Sequence, residues 1–354
     1  MKVVVVGAGY AGTTAANRLA KKVAGAEITV VNPRADFVER VRLHQQLAGT
    51  GEAATPLAGM LRDGITVRVG SVDKIGDGTL ALADGDSLDF DYAVLAVGST
   101  VRPLPGTVPV GTWEGAQRAR TALAALPAGA TVTVVGGGAT GTETAAEVAE
   151  ARSDLRVRVV GTDVAGNLSG AARTRMLTGL AGLGVDVVTG AVAEVDESDG
   201  TVRLASGTEL ASDLTLWAIV SGVPDLAARS GLDVAEDGRA LVDPYLRSVS
   251  DERIFVVGDV AAVPGARFGC QSAGPQGKHA ADVLARLTAG REPAPYPLRY
   301  VSRALSIGRK DAVIQFTHFD DSLRTAYVTG RTGTLIKELA CRGGKFGART
   351  GITG

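Results

Sequence analysis

The feature that most restricts this chain is a pattern that occurs twice: a short apolar run, a glycine turn with GxGxxG spacing, then a helix-forming stretch. The first copy opens the sequence. Val3-Val4-Val5-Val6 is a continuous β-branched run, as expected of a strand buried on both faces of a parallel sheet. Gly7-Ala8-Gly9-Tyr10-Ala11-Gly12 follows, then Thr13 to Lys22, which reads as helix. A second strand, Ile28-Thr29-Val30-Val31, ends at Asn32. The pattern returns about 130 residues later, with Thr131 to Val135 as strand and Gly136-Gly137-Gly138-Ala139-Thr140-Gly141 as turn. Thr142 to Ala151 is its helix and Val157 to Val160 its next strand. In each copy the first glycine allows the tight turn, the second lets the backbone approach a pyrophosphate, and the third lets the helix pack close to the strand. One such turn is weak evidence. Two, each between a buried strand and a helix, predict two dinucleotide-binding folds in one chain.

Between the copies, Asp91 to Thr100 reads as a strand ending in a small-residue turn. Val101 to Gly106 reads as an extended linker, because each X-Pro step disfavours helix. A similar strand, Leu214 to Val220, ends at Ser221-Gly222-Val223-Pro224. Ile254 to Ala261 is another buried strand, with Gly258-Asp259 at its C-terminal end, the place where ligands of open α/β sheets bind. Pro275 to Thr288 looks helical. From about residue 292 the pattern alternates like strands (Ala312 to Phe316, Arg324 to Val328) and closes on a short helix, Thr334 to Ala340. The fold class is α/β: two Rossmann-like dinucleotide-binding domains and a small C-terminal α+β segment.

Composition narrows the function. At roughly 100–200 residues per domain, 354 residues suggest two domains. Lys plus Arg is 37 against 38 Asp plus Glu, so no basic field draws nucleic acid. The two cysteines, Cys270 and Cys341, are far apart in sequence, which excludes a disulfide framework, a four-cysteine zinc site and any CxxC redox pair. His44, His279 and His318 form no HxxxH-type metal pattern. No apolar stretch approaches the roughly 18–20 residues of a spanning helix. The Val3 to Val6 run is too short for a signal-peptide core. The expectation is a cytoplasmic protein.

GAGYAG at 7–12, Ala-Val-Gly-Ser-Thr at 96–100, GGGATG at 136–141 and Val-Gly-Asp at 257–259 occur in an order and spacing that resembles the two-dinucleotide-binding-domain flavoproteins, the pyridine-nucleotide:flavin oxidoreductases. Glu143 after the second glycine turn and the segment Leu305-Ser306-Ile307-Gly308-Arg309-Lys310-Asp311-Ala312 narrow the resemblance. They point to the apoptosis-inducing-factor-like ferroptosis-suppressor proteins and the type II NADH:quinone dehydrogenases. The resemblance implies that the first fold holds FAD and the second, inserted in it, holds NADH or NADPH. It divides the chain into an FAD-binding domain at 1–107 and 243–291, an NAD(P)-binding domain at 108–242, and a C-terminal segment at 292–354.

By that resemblance Gly7, Gly9, Ala11 and Gly12 surround the FAD pyrophosphate. Asn32 stands where the family usually has an acid for the adenosine ribose; an amide still hydrogen-bonds a hydroxyl, but its charge is lost. Val72 falls where backbone contacts adenine, and Ala96, Val97 and Gly98 pass close to the cofactor. Gly258 and Asp259 lie on the ribitol or pyrophosphate side, with a helix N-cap as the alternative for Asp259. Arg42, His44 and Gln45, in the mixed-charge stretch 36–46, are candidates to face FAD; a surface helix with a satisfied histidine is the other reading. Gln276 sits at an expected helix start near the flavin ring, where helix N–H groups stabilise negative charge, or is a plain surface residue. For the nicotinamide nucleotide the candidates are Gly136, Gly138, Thr140 and Gly141. Glu143 is placed near the nicotinamide or flavin edge, or is a first-turn acid favoured by the helix dipole. Gly161 stands where an NAD-specific site carries Asp or Glu, and no arginine follows directly, so both NADH and NADPH stay open.

Hydride transfer needs stacking and orientation more than acid–base groups. The resemblance therefore implies an FAD-dependent NAD(P)H oxidoreductase. Without a CxxC the electrons leave the flavin directly, to a quinone-type acceptor. The rivals are a tailoring oxidoreductase on a small metabolite, a ferredoxin-type reductase and a nucleotide sensor with low turnover. Beyond residue 331 the chain carries Arg331, Lys337, Arg342, Lys345 and Arg349 against Glu338, with Leu335, Ile336 and Leu339 as a short apolar face. A weak peripheral membrane contact is one reading of this tail and a solvated tail the other.

Overall fold

The computed structural model describes residues 1–352; the last two residues of the C-terminal segment lie outside the described residues. In chain order the elements that position the site are β1 (Lys2–Val6), α1 (Tyr10–Lys22), β2 (Glu27–Asn32), α2 (Leu43–Ala48), β3 (Thr66–Val69) and β4 (Tyr92–Leu95). There follow β5 (Val108–Pro109), α3 (Trp113–Ala125), β6 (Thr131–Val135), α4 (Ala139–Ala151), β7 (Arg156–Gly161), α5 (Gly170–Gly182), β8 (Val185–Thr189) and β9 (Leu214–Trp217). The chain ends with β10 (Ile254–Val256), α6 (Cys270–Thr288), β11 (Ser302–Ile307), β12 (Asp311–Thr317), β13 (Leu323–Thr329) and α7 (Gly330–Thr350).

Two five-stranded parallel sheets form, with orders β10-β4-β1-β2-β3 and β5-β9-β6-β7-β8. Each is Rossmann-like, and each carries a three-stranded antiparallel meander, between β3 and β4 in the first and between β8 and β9 in the second. The first sheet closes with β10, which follows the whole second sheet in sequence, so the second fold is inserted in the first. Val3, Val5, Val30 and Val94 are buried at the centre of the first core; Val132, Val134, Val159 and Leu216 play that part in the second. β11, β12 and β13 form an antiparallel sheet, and α7 packs back across α1.

α1 and α6 cross so closely that a Cβ on Gly277 would lie 2.1 Å from the Ala11 carbonyl oxygen. Two helices differ from the sequence expectation. α6 starts at Cys270, so Pro275 lies inside it rather than in its first turn. α7 runs 21 residues and does not stop near Ala340. Gly343, Gly344 and Gly347 argue against helix by propensity, but tertiary packing overrides them. The Asn17 amide donates to the Ala348 carbonyl at 2.8 Å, and Gly351 ends the helix in a left-handed conformation. The tail is therefore docked, not solvated.

Candidate functional site

At the first glycine turn, Gly7 holds φ at +100° and its N–H donates to Val31 O at 2.8 Å. A Cβ on Gly12 would lie 1.9 Å from Gly7 O, whereas a Cβ on Gly9 would meet nothing within 4 Å. No side chain caps α1. Its first amides face an open surface, which suits an anion such as a pyrophosphate. Ala11 is buried beside Gly258, itself at φ +80°. The Ala96 N–H donates to Val6 O at 2.8 Å and its carbonyl closes over Gly7. Asn32 faces the turn: its Oδ1 accepts the Ala8 N–H at 3.0 Å and its Nδ2 donates to Arg34 O at 2.7 Å. Val72 is buried in a meander strand opposite Leu82, with its side chain in the core.

Beyond β4 and β10 the cleft continues. Asp259 Oδ2 accepts the Ser99 hydroxyl at 2.7 Å, and Oδ1 accepts the Gly269 N–H at 2.9 Å. Asp259 caps no helix of its own; it ties β10 to the start of α6. Arg40 reaches the same place. Its guanidinium donates to Ser99 O and Oγ, both at 3.0 Å, and to Gly111 O at 3.1 Å, and its Nη1 lies 3.7 Å from a Cβ built on Gly98. Burial lowers its pKa, with Asp259 opposing. Val97 is partly exposed beside it. Cys270 is open to the cleft yet crowded by protein, which pushes its thiol up to about 12. Gln276 is buried rather than on a helix surface, and lies in the second turn of α6 rather than at its start. Its Oε1 accepts the Gly258 N–H at 2.7 Å, so it positions the β10 turn.

The second turn repeats the first: Gly136 has φ +128°, and a Cβ on Gly141 would lie 1.8 Å from Gly136 O. A Cβ on Gly138 would meet nothing within 4 Å. A cleft of 690 Å³ opens here, lined by Gly136 to Thr140, Gly161, Thr162, Trp217 to Val220 and, from the far side, Arg267, Phe268 and Arg303. Gly161 has a packing reason. A Cβ there would lie 2.6 Å from the Gly137 N.

The two folds and the C-terminal segment meet at a buried ionic cluster. Glu143 is not an exposed first-turn acid. Its Oε1 accepts the Ser306 N–H at 2.8 Å and the Ser306 hydroxyl at 2.9 Å, and it is ion-paired with Lys337 of α7. Burial pulls the Lys337 ammonium down to about 8. Arg42 does not reach into the open cleft as a free cation: it forks onto Glu338 at 2.9 and 3.1 Å and lies 3.5 Å from Glu39. Lys345 donates to Glu39 at 3.1 Å, and Tyr10 donates to the same carboxylate at 3.2 Å. His44 and Gln45 are buried, which overturns the surface-helix reading. Desolvation, with Lys337, Arg309 and Arg42 nearby, holds the His44 pKa well below its ordinary value, so the ring is neutral. The Gln45 Oε1 accepts from Arg42 at 3.1 Å. Sequence reasoning missed Arg40, Lys337 and Ser306 as site residues. Arg40 lacked a motif; Lys337 lay in the expected Thr334 to Ala340 helix, but only as one of the tail's basic residues, with no sign of its partner Glu143.

Residues 1–282 match the model of the pyridine nucleotide-disulphide oxidoreductase family. The chain belongs to that family. It is a flavin-dependent NAD(P)H oxidoreductase, with FAD and a nicotinamide nucleotide as cofactors, and the open glycine turns of both folds fit those groups. The chain is 34% identical over 323 residues to an NADH dehydrogenase-like protein of Mycobacterium tuberculosis, covering 79% of this chain and 78% of that one. It is 26% identical over 339 residues to ferroptosis suppressor protein 1 of Xenopus laevis, covering 90% and 89%. The solved structure of NDH2 from Plasmodium falciparum in complex with NADH superposes with a TM-score of 0.81 at 14% identity, over 98% of this chain and 97% of that one. Among the described residues no helix is long and apolar enough to cross a membrane, and no cluster of ligating side chains suits a metal.

Proposed function

We propose that the chain oxidises NAD(P)H and delivers the electrons to a quinone-type acceptor at the junction of the second fold with α7. In this reading residues 1–107 and 243–291 hold FAD, 108–242 hold the nicotinamide nucleotide, and the C-terminal segment builds the acceptor side. FAD supplies the two-electron step between the two substrates. The chain's own residues do the rest. The bare amides of α1 and α4 at Gly9 and Gly138 receive the two pyrophosphates. Arg40, fixed by Ser99 and Gly111, places a positive charge in the FAD cleft where negative charge is to be stabilised. Asp259 and Gln276 hold the β10 turn and the start of α6 in place. Gly161 leaves the ribose pocket without an acid, which admits NADH and NADPH alike.

The observation that carries the acceptor assignment is the Glu143–Ser306–Lys337 group. It is buried, joins three parts of the chain and holds a proton at Lys337 Nζ on an ammonium poised near neutral pH. A quinone-type acceptor needs two protons as well as two electrons, and a proton donor with a pKa near the working pH suits that step. The likeness to an NADH dehydrogenase-like protein supports the NAD(P)H-oxidising half of the reading. The test is anaerobic stopped-flow bleaching by NADH and by NADPH, followed by mixing with a soluble quinone. Rapid bleaching and rapid recovery are expected. Recovery with a ferredoxin but not with a quinone would replace the acceptor.

A further inference from the structure

One turn beyond Glu143, α4 carries a second acid that the proposed reaction leaves unused. Glu147 is completely buried. Its Oε1 accepts the Thr50 hydroxyl from the loop after α2, and its Oε2 has no partner at all. The charged groups that face it are Arg309, whose Nε is 3.9 Å from Oε1 across the β11–β12 turn, and Glu150 on α4 itself. Glu150 is already engaged: it accepts the Arg309 N–H at 2.5 Å and lies 3.9 Å from Lys310. A buried carboxylate with a bare oxygen is far costlier than the neutral acid. Burial and Glu150 both raise its pKa; Thr50 and Arg309 oppose them.

We infer that Glu147 is the proton reservoir of the Glu143–Lys337 pair, held as the neutral acid at rest. This rests on the proposed delivery of electrons to a quinone-type acceptor. The balance is explicit. NAD(P)H contributes a hydride, and a quinone leaves as a hydroquinone carrying two protons, so each turnover draws one further proton through the protein. Lys337 Nζ releases it, Glu147 restores it, and solvent at the exposed Arg309 edge reloads Glu147. The neutral His44 imidazole is buried on α2, with Lys337, Arg309 and Arg42 as its charged neighbours. Glu147 acts through Lys337 and is a positioning residue for its proton, not a group that touches substrate.

The test uses the FAD-loaded protein and Glu147→Gln, which keeps the volume and an oxygen for Thr50 but carries no proton. The infrared carbonyl stretch of a protonated carboxylic acid is expected at pH 7 in the parent and absent in the variant. Turnover with a soluble quinone is expected to fall about 10-fold, while ferricyanide, which takes electrons without protons, is reduced at the parent rate. Glu147→Asp should recover part of the loss. Thr50→Val, which keeps the acid and removes its one hydrogen bond, should shift the carbonyl band without abolishing it. No protonated-acid band, or a quinone-to-ferricyanide ratio unchanged in Glu147→Gln, overturns the inference. A parent protein that reduces ferricyanide but no quinone defeats the acceptor assignment instead, while the infrared band still reports on Glu147.

Discussion

In the first fold the glycine turn is fastened to the end of β2 by a side chain, Asn32, which accepts the Ala8 N–H. In the second the fastening is backbone on backbone: Gly137 packs against Gly161, and its carbonyl accepts the Ala165 N–H at 2.8 Å. The turns are otherwise superposable in their chemistry. Each has a left-handed first glycine, a third glycine pressed on the first one's carbonyl and a middle glycine facing open space. On the proposed function, the contrast teaches that the GxGxxG spacing fixes how the chain would meet a pyrophosphate but not how it would meet a ribose. The ribose position is decided by whatever joins the turn to the second strand. In one fold that is a polar amide; in the other it is a contact that excludes any side chain.

The sharpest way to break the comparison is to add one methyl group at different glycines. Gly12→Ala and Gly141→Ala would drive a Cβ to within 1.9 and 1.8 Å of a backbone oxygen, so each should cost about 3 kcal/mol or more and yield little soluble protein. Gly9→Ala and Gly138→Ala meet no protein atom, so the melting temperature without nucleotides should be nearly unchanged. The flavin content should drop for Gly9→Ala alone, and NAD(P)H affinity for Gly138→Ala alone. Thermal melts with and without each nucleotide read all four. Equal damage at all four positions would remove the distinction between packing and binding glycines.

The next effect falls on the junction. Lys337→Met should lower quinone turnover about 100-fold while bleaching by NAD(P)H stays near the parent rate. In the parent, quinone turnover should fall as pH rises through about 8, where Lys337 loses its proton; Lys337→Met should abolish that limb. The stability sign is also fixed. The folded-state pKa of Lys337 lies below its ordinary value, so between about 8 and that value the unfolded chain binds the extra proton. Stability therefore rises with pH across that window. Chemical denaturation at pH 7.5 and 9.5 should show the rise in the parent and a flatter profile in Lys337→Met.

How much of this was legible in the sequence divides along the same line. Both glycine turns and the central strands around them followed from strand runs and glycine spacing, because these are local patterns with a fixed period; the nesting was implied by the family resemblance. The roles of Gly161 and Gln276 were not legible. The first depends on a contact with Gly137, the second on a hydrogen bond to Gly258, 18 residues away. Lys337 was hidden for a related reason. A short helix around it was expected, but its partner Glu143 lies on α4, far away in sequence, and no window of sequence contains both. Of Arg40 and Arg42, two residues apart, only Arg42 was a candidate; the tertiary partners, Ser99 with Gly111 for Arg40 and Glu338 for Arg42, reverse that choice.

A smaller effect sharpens the ribose comparison. Gly161→Asp should not create an NADH-specific site, because its Cβ would lie 2.6 Å from the Gly137 N. The variant should lose about 1–3 kcal/mol of stability and weaken NADH and NADPH together. Asn32→Asp changes no volume. It forfeits the donor to Arg34 O, a cost of about 1 kcal/mol, and places a carboxylate at the FAD ribose position. Flavin retention through dialysis should hold for Asn32→Asp and fall for Asn32→Ala. Gly161→Asp that binds NADH tightly and rejects NADPH would show that the backbone contact yields.

The smallest effect concerns the outer face of α7. Arg331, Leu335, Leu339, Arg342, Phe346 and Arg349 recur at helical spacing on one exposed stripe, with Leu335, Leu339 and Phe346 about 60% accessible. Lys337 and Lys345 face inward from the same helix onto Glu143 and Glu39. The proposed function would give this stripe a use: an apolar face flanked by arginines would rest on a membrane surface that holds a lipid-soluble acceptor, a few residues from Lys337. Co-sedimentation with anionic lipid vesicles should be weak, should decrease with added salt, and should disappear in Leu335→Ser/Leu339→Ser/Phe346→Ser. Because none of the three side chains lies in the junction, turnover with a water-soluble quinone should be unaffected by the triple change. If the variant loses soluble-quinone activity along with vesicle binding, the stripe supports the fold of α7, and the contrast between its two faces fails.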